Sequence, residues 1–423
     1  MTSSLLGRVR TADPVLRILA TATLVATLGR GVFMTITVLF LGFAVRLTPA
    51  QIALILGVAS IVGIGGALVG GHLADRLSAR RLAVAAMVVT SLSLTCYSLI
   101  TGFWFALVIV CVQEVAISVG QSARSAIIGR AFVGADRVRA RAVLRTLTNV
   151  GIAIGSGAAG VALALDSATA YRIALAVAGV VFLVGQLNLL RLPASVDAPP
   201  RAPRVDRTVR REPLPGRSPW RDPRYLLISA LSGVFAIQLA IGEFGIPLWV
   251  VRDTAAPRTV ISVLLIVNTV LVVAFMVPLS RGTHRLRTAG RLTMLAGLLM
   301  AAGCAVYALA GALPAIGAVV ALVAGAVVHA FAEILSQGAG WGLSFELADQ
   351  RRIGSYQGVF GTTNSIGAAV GPALITVTVI QNGWAGWGVL ALILLASAIG
   401  IGVIADRAAR AQDAQPAPGA RMG

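Results

Sequence analysis

Four charged side chains stand inside long apolar runs of the sequence: Arg30, Glu114, Glu243 and Glu333. An ionisable group at bilayer depth costs about 2.5–3.5 kcal/mol on insertion scales, so each one needs a reason to be there. A carboxyl group in such a place can take up a proton on one side and release it on the other. An arginine there can hold an acid or the anionic group of a ligand. His329 precedes Glu333 by four residues, which puts both on one face of a helix. Glu333 with His329 is therefore the first candidate for a proton site. Glu114 is the second, because it too is followed by serine and glycine (EVAISVG beside EILSQG). Arg30, Gln113, Glu243, Gln337, Asn149 and Asn364 are candidate cavity residues. Each has a plainer reading. Glu333 can be an interhelical hydrogen bond, His329 a packing residue, Arg30 the structural partner of a glutamate, and Glu243 a side chain reaching water near a span end.

The elements that must carry these groups are membrane spans. Hydrophobic residues make up 57% of the 423 and charged residues only 12%, against about 25% charged in a soluble domain. A chain this apolar needs the bilayer as solvent. Twelve runs are long enough to cross: residues 17–43, 52–73, 82–100, 103–127, 143–165, 169–190, 225–250, 259–279, 289–310, 315–341, 356–380 and 384–404. The first run has no cleavage pattern after it and is expected to stay as a helix. Cys96, Cys111 and Cys304 fall inside apolar stretches and read as structural thiols. Trp104, Trp249 and Trp384 fall near outer span ends and read as an interfacial belt. Pro247 and Pro372 interrupt spans and are expected to bend them.

The net charge of +19 does not point to nucleic acid, because it is dispersed in short segments between apolar runs. All 35 basic residues are arginines; 30 fall on one side of the predicted spans, 4 on the other, and Arg30 lies within a span. The arginine-rich side is read as cytoplasmic, with both termini, in the cytoplasmic membrane. Residues 1–190 and 225–404 form two six-span halves. Residues 191–224, rich in proline and arginine, read as a flexible cytoplasmic linker, and 405–423 as a disordered cytoplasmic tail. The halves repeat each other. TNVGIAIGSGAAG in the fifth span aligns with TNSIGAAVGPALIT in the eleventh, pairing Gly151 with Gly367 and Gly155 with Gly371. Small residues at that spacing let helices pack closely. Parallel halves of this kind are a transporter architecture, with a site near the midplane.

Between the second and third spans the chain reads GGHLADRLSARR. This resembles the signature loop of the major facilitator superfamily, Gly-x-Leu-Ala-Asp-Arg-x-Gly-Arg-Arg/Lys. Gly71, Leu73, Ala74, Asp75, Arg76 and Arg80 match, while Ser78 and Ala79 depart. The fifth span is similar to a degenerate antiporter signature, keeping Gly151, Gly155 and Gly160 with Ser156 in place of proline. The segment RRIGSYQGVFGTTNSIGAAVGP, ending at Pro372, resembles the drug:proton antiporters of that superfamily. The resemblance implies an all-α membrane protein of twelve helices in two pseudo-symmetric six-helix bundles. It implies a gate loop at Gly71, Asp75, Arg76 and Arg80, and a central cavity lined by the first, fourth, seventh and tenth helices. Those four helices carry the four buried charges, which chance would arrange about once in a hundred.

There is no Walker phosphate loop, no paired Cys/His metal spacing and no Ser-His-Asp arrangement, so neither an enzyme, a metal site nor a cofactor is expected. The expectation is a monomeric secondary transporter in the lipid bilayer that exports a small hydrophobic or cationic molecule in exchange for protons. Three acids outnumber Arg30 among the intramembrane charges, which favours a cationic cargo. The alternatives are an uptake symporter or uniporter of a metabolite and, in another class, a membrane sensor or assembly protein without flux.

Overall fold

The computed structural model describes residues 13–165, 167–197 and 216–414. Among them the regular elements are helices. They start where the sequence supplies oxygen caps and prolines. Asp13 accepts from the Val15 N–H at 2.7 Å and opens α1 (Pro14–Leu39). Thr48 and Gln51 form a reciprocal capping box on α2 (Pro49–Arg76), which satisfies N–H groups that a helix leaves orphaned at its start. Ser78 caps α3 (Ala79–Tyr97), and Ser167 caps α6 (Ala168–Leu187). Between them run α4 (Phe103–Ala131) and α5 (Gly134–Leu165). Asp222 caps α7 (Pro223–Asp253), which is followed by α8 (Val260–Leu279), α9 (Leu286–Ala310) and α10 (Ala315–Glu346).

Among the described residues, eleven stretches are long and apolar enough to cross a membrane, and the last, Gln350–Asp413, has 64 residues. That is more than two crossings at 1.5 Å per residue. It breaks at Gly383, whose φ of 57° and ψ of −131° suit glycine alone. The kink falls at the third residue of α12 (Gln381–Asp413), which follows α11 (Ile353–Ile375) and the π-turn Thr376–Ile380, so the stretch makes two crossings. The helix surfaces carry exposed Val161, Leu265 and Ile316, as lipid contact requires.

By their contacts the residues fall into two compact units. Unit 1 is Met1–Val133, Val143–Arg221 and Ala348–Thr362; unit 2 is Gly134–Ala142, Asp222–Leu347 and Thr363–Gly423. The expected contiguous halves thus differ by two short pieces, the start of α5 and the start of α11. Ile36, Phe40, Ile55, Tyr97 and Leu175 are in the core of unit 1. Met300, Tyr307, Leu322, Trp387 and Leu394 are in that of unit 2.

The aligned glycines do the same work in each unit. In unit 1, α5 presses on α1, with Gly151 against Thr27 and Gly155 against the Leu28 carbonyl. In unit 2, α11 presses on α7, with Gly367 against the Gly233 carbonyl and Gly371 against Ala240. A side chain at any of the four would collide with its neighbour. The two prolines sit at helix irregularities: Pro247 just after a π-turn at Ile241–Gly245 in α7, and Pro372 just before one at Thr376–Ile380.

Two expectations change at the segment ends. The tail was expected to lack structure from residue 405, but α12 continues to Asp413. Its alanine-rich end forms helix readily, and Arg410 reaches Asp406 one turn away at 2.7 Å. The linker was expected to be loose throughout, yet its first residues are held in unit 1. Leu192 and Val196 are buried, and Asp197 accepts from the Ser78 hydroxyl at 2.8 Å and the Arg80 N–H at 3.0 Å. Residues 198–215 of that linker and 415–423 of that tail lie outside the described residues, as do residues 1–12.

Candidate functional site

In unit 2 the polar groups gather around Glu333 on α10. Its side chain is buried, and both carboxylate oxygens accept from amides. Asn268 Nδ2 on α8 reaches Oε2 at 3.1 Å, and Gln337 Nε2 reaches Oε1 at 2.8 Å. A buried charge needs donors of this kind to replace water. One turn earlier on α10, the buried His329 ring meets the Tyr307 hydroxyl of α9 at 3.4 Å through Nδ1 and hydrogen-bonds the main chain at Gln238 of α7. The Gln238 side chain in turn donates to Ser336 on α10 at 3.1 Å. Gln238 stands where α7 loses its regular ladder, just ahead of the π-turn, and this is where main-chain groups become free for side chains. The cluster thus joins four helices of one unit around Glu333 and His329. Glu243 lies on the π-turn itself and is exposed.

The aromatic side of this cluster corrects an expectation. Trp104 and Trp384 are largely exposed, as an interfacial belt requires, but Trp249 is only 4% exposed. Its indole N–H donates to the Tyr307 carbonyl at 2.9 Å, and its ring meets Trp387 edge-on at 5.8 Å. Tyr307 also packs against Trp387 and His329. Trp249 is therefore part of the wall behind His329.

In unit 1, Glu114 on α4 is the corresponding acid. It interacts electrostatically with Arg30 of α1 and with the buried Tyr97 of α3. Gly63 of α2 faces it, and a Cβ there would meet the Glu114 Cβ at 3.5 Å, an ordinary contact. Gln113 next to it is buried, and its Oε1 has no hydrogen-bond partner among the described residues. Asn149 on α5 and Asn364 on α11 are half-buried. Arg124, counted from the sequence with the arginines of the cytoplasmic side, does not reach into solvent: its guanidinium lies within unit 1. There it donates to Gln186 Oε1 at 2.5 Å and to Thr23 at 3.5 Å, while Gln186 donates to the Ala22 carbonyl at 3.1 Å. An arginine near a predicted span end can fold back into the bundle when helices 1 and 6 offer it oxygens.

The loop between α2 and α3 makes a separate polar junction. The Asp75 side chain is inaccessible to solvent and pairs with Arg130 of α4 at 2.9 Å. It also accepts from the Gly354 N–H at 2.8 Å, the Ser355 N–H at 2.6 Å and the Ser355 hydroxyl at 2.7 Å. These N–H groups belong to the first turn of α11, in the piece of that helix that groups with unit 1. Asp75 thus acts as a cap for a helix far along the chain, where a negative charge is favoured. Gly71 permits this approach: Gly354 and Gly358 lie directly against it. Arg80 bonds the Leu192 carbonyl at 2.7 Å. Arg76 Nε has no hydrogen-bond partner among the described residues. The departure at Ser78 has a use, since its hydroxyl both caps α3 and donates to Asp197.

The family model for the Major Facilitator Superfamily matches residues 19–372. The chain belongs to the major facilitator superfamily. It is a multi-pass membrane protein and a secondary transporter, not an enzyme. A search of curated proteins finds no match. Among solved structures it is similar to the human organic anion transporter MFSD10 (TETRAN), with a TM-score of 0.70 and 13% identity, over 92% of this chain and 100% of that one. It is also similar to a POT family transporter in complex with a thioalcohol-conjugated peptide, with a TM-score of 0.66 and 12% identity, over 93% and 96%. At these identities the likeness is one of fold.

This superfamily member repeats its α11 junction in unit 2 with different chemistry. The first residues of α5, which group with unit 2, bring Arg137 to 3.7 Å from Glu346. The Arg137 and Arg141 guanidinium groups stack on the Phe345 ring at 5.1 and 5.4 Å. Sequence reasoning overlooked both arginines, and it overlooked Asn268, Tyr307 and Gln238. Asn268 did leave a signal, as a lone amide in an otherwise apolar span.

Proposed function

We propose that the chain exports a hydrophobic or cationic small molecule in exchange for protons by alternating access between its two bundles. The observation that carries the reading is Glu333, a buried carboxylate held by two neutral amides with His329 one turn away. Side-chain amides can turn to serve either the charged or the protonated form of such a group. Glu114 beside Arg30 and Tyr97 is the second proton candidate. The Asp75 cap on α11 is the element to be released and remade in each cycle. Both termini face the cytoplasm, following the arginine distribution.

A second reading follows from Arg124. With it, unit 1 carries two intramembrane arginines and one acid, while unit 2 carries Glu243 and Glu333. A cargo with an anionic group, taken up with protons, would engage unit 1. Inside-out vesicles with an acidic lumen separate the two. Cationic compounds from a panel are expected to accumulate in the lumen under proton exchange. Proton-coupled uptake carriers would instead empty the lumen of an anionic metabolite. Neither movement above that of vesicles lacking the protein would reject both.

A further inference from the structure

A cleft of about 440 Å3 opens in unit 2 between the start of α9 and the end of α12. Arg287 and Arg291 line it from α9, and Arg407 and Arg410 from α12, around Asp406. Asp406 pairs with Arg410 at 2.7 Å and lies 3.9 Å from Arg287, which also pairs with Asp413 at 2.8 Å. Four arginines against these two carboxylates leave a charge of +2 (4 − 2) at the mouth. Arg291 and Arg407 are exposed and have no carboxylate at ion-pair distance among the described residues.

Two features ask for an anion here. Arg287 and Arg291 stand in the first two turns of α9, where the helix N–H groups already present positive charge, and the N-cap Arg285 contributes no side-chain acceptor. Like charges at a positive helix end repel unless an anion joins them. The cleft then continues inward over Met294 and Val403. Met294 lies seven residues from Arg287, roughly 10 Å along the helix, so a charged mouth leads onto an apolar floor. A free anion needs only the mouth; a lipid fits both parts.

We propose that this cleft binds the phosphate of an anionic phospholipid whose acyl chain lies along Met294 and Val403. The assignment rests on the orientation proposed above, with this end at the cytoplasmic surface, and not on the cargo. Anionic headgroups at that surface are held by clustered arginines between helices.

Native mass spectrometry of the purified protein titrated with phosphatidylglycerol reads the affinity. Arg291→Gln together with Arg407→Gln is expected to weaken it about fivefold per arginine, ~25-fold in all. Arg252→Gln with Arg258→Gln removes the same charge from the opposite end of unit 2 and is expected to leave the affinity unchanged. Equal affinity in wild type and the first variant overturns the proposal. So does an equal loss in both variants, which marks a net-charge effect. Inorganic phosphate alone is expected to bind far more weakly; binding as tight as the lipid's reassigns the cleft to free phosphate and overturns the lipid. Binding is read without transport, so failure here leaves the proton reading standing, and the reverse also holds.

Discussion

Glu333 is held by Asn268 and Gln337, and the energetics of that arrangement set the first prediction. Asn268→Leu removes one of the donors to this buried carboxylate. Losing a hydrogen bond to a charged buried group costs on the order of 1–3 kcal/mol, so thermal unfolding of the purified variant is expected at a lower temperature than wild type. Adding Glu333→Leu to Asn268→Leu should recover part of the loss, because the carboxylate that needed a donor is gone. Much of this site could be read from the chain itself. Glu333, His329 and Gln337 lie within two helical turns, and helical geometry brings such residues together whatever the tertiary fold. Asn268 escaped because a neutral amide in a span does not stand out as a charge does. Arg124 escaped because its position near a span end left open whether it would reach water or fold inward. Only Thr23 and Gln186, on other helices, decide that.

Gly151 and Gly155 on α5, and Gly367 and Gly371 on α11, remove side chains where each helix crosses its partner. Gly367→Leu must displace the Gly233 main chain, and overpacking of this kind costs typically about 1–3 kcal/mol, sometimes more. The expected result is a lower melting temperature and a smaller folded yield, while Gly388→Leu, with open space around it, leaves both unchanged. The Asp75 junction gives a different prediction. Asp75→Asn keeps the shape but removes the charge opposite Arg130 and weakens the cap on α11. Breaking a buried pair costs roughly 3–5 kcal/mol. Hydrogen exchange at Gly354 and Ser355 is expected to quicken in that variant. Span positions and the glycine repeat were legible because bilayer thickness and close packing impose fixed lengths and small residues. That the starts of α5 and α11 each group with the opposite unit was not legible, since it depends on contacts hundreds of residues apart, such as Asp75 with Gly354.

For the whole molecule, the arginine asymmetry predicts which end of each unit meets the cytoplasm. A cysteine placed by Arg258→Cys is expected to react with an impermeant maleimide added outside cells, and one placed by Arg407→Cys only after the membrane is opened. The reverse pattern would invert the orientation and with it the proposed direction of transport. The fold, two pseudo-symmetric six-helix bundles of a superfamily transporter, makes ion-coupled movement of a solute the central question. Its most direct test compares wild type with Glu333→Gln in proteoliposomes, using a substrate found by the vesicle screen. Flux driven by a pH gradient is expected to fall to the rate of empty liposomes in the variant, while exchange of substrate without a gradient continues. Gradient-driven flux at the wild-type rate would contradict a proton role for Glu333.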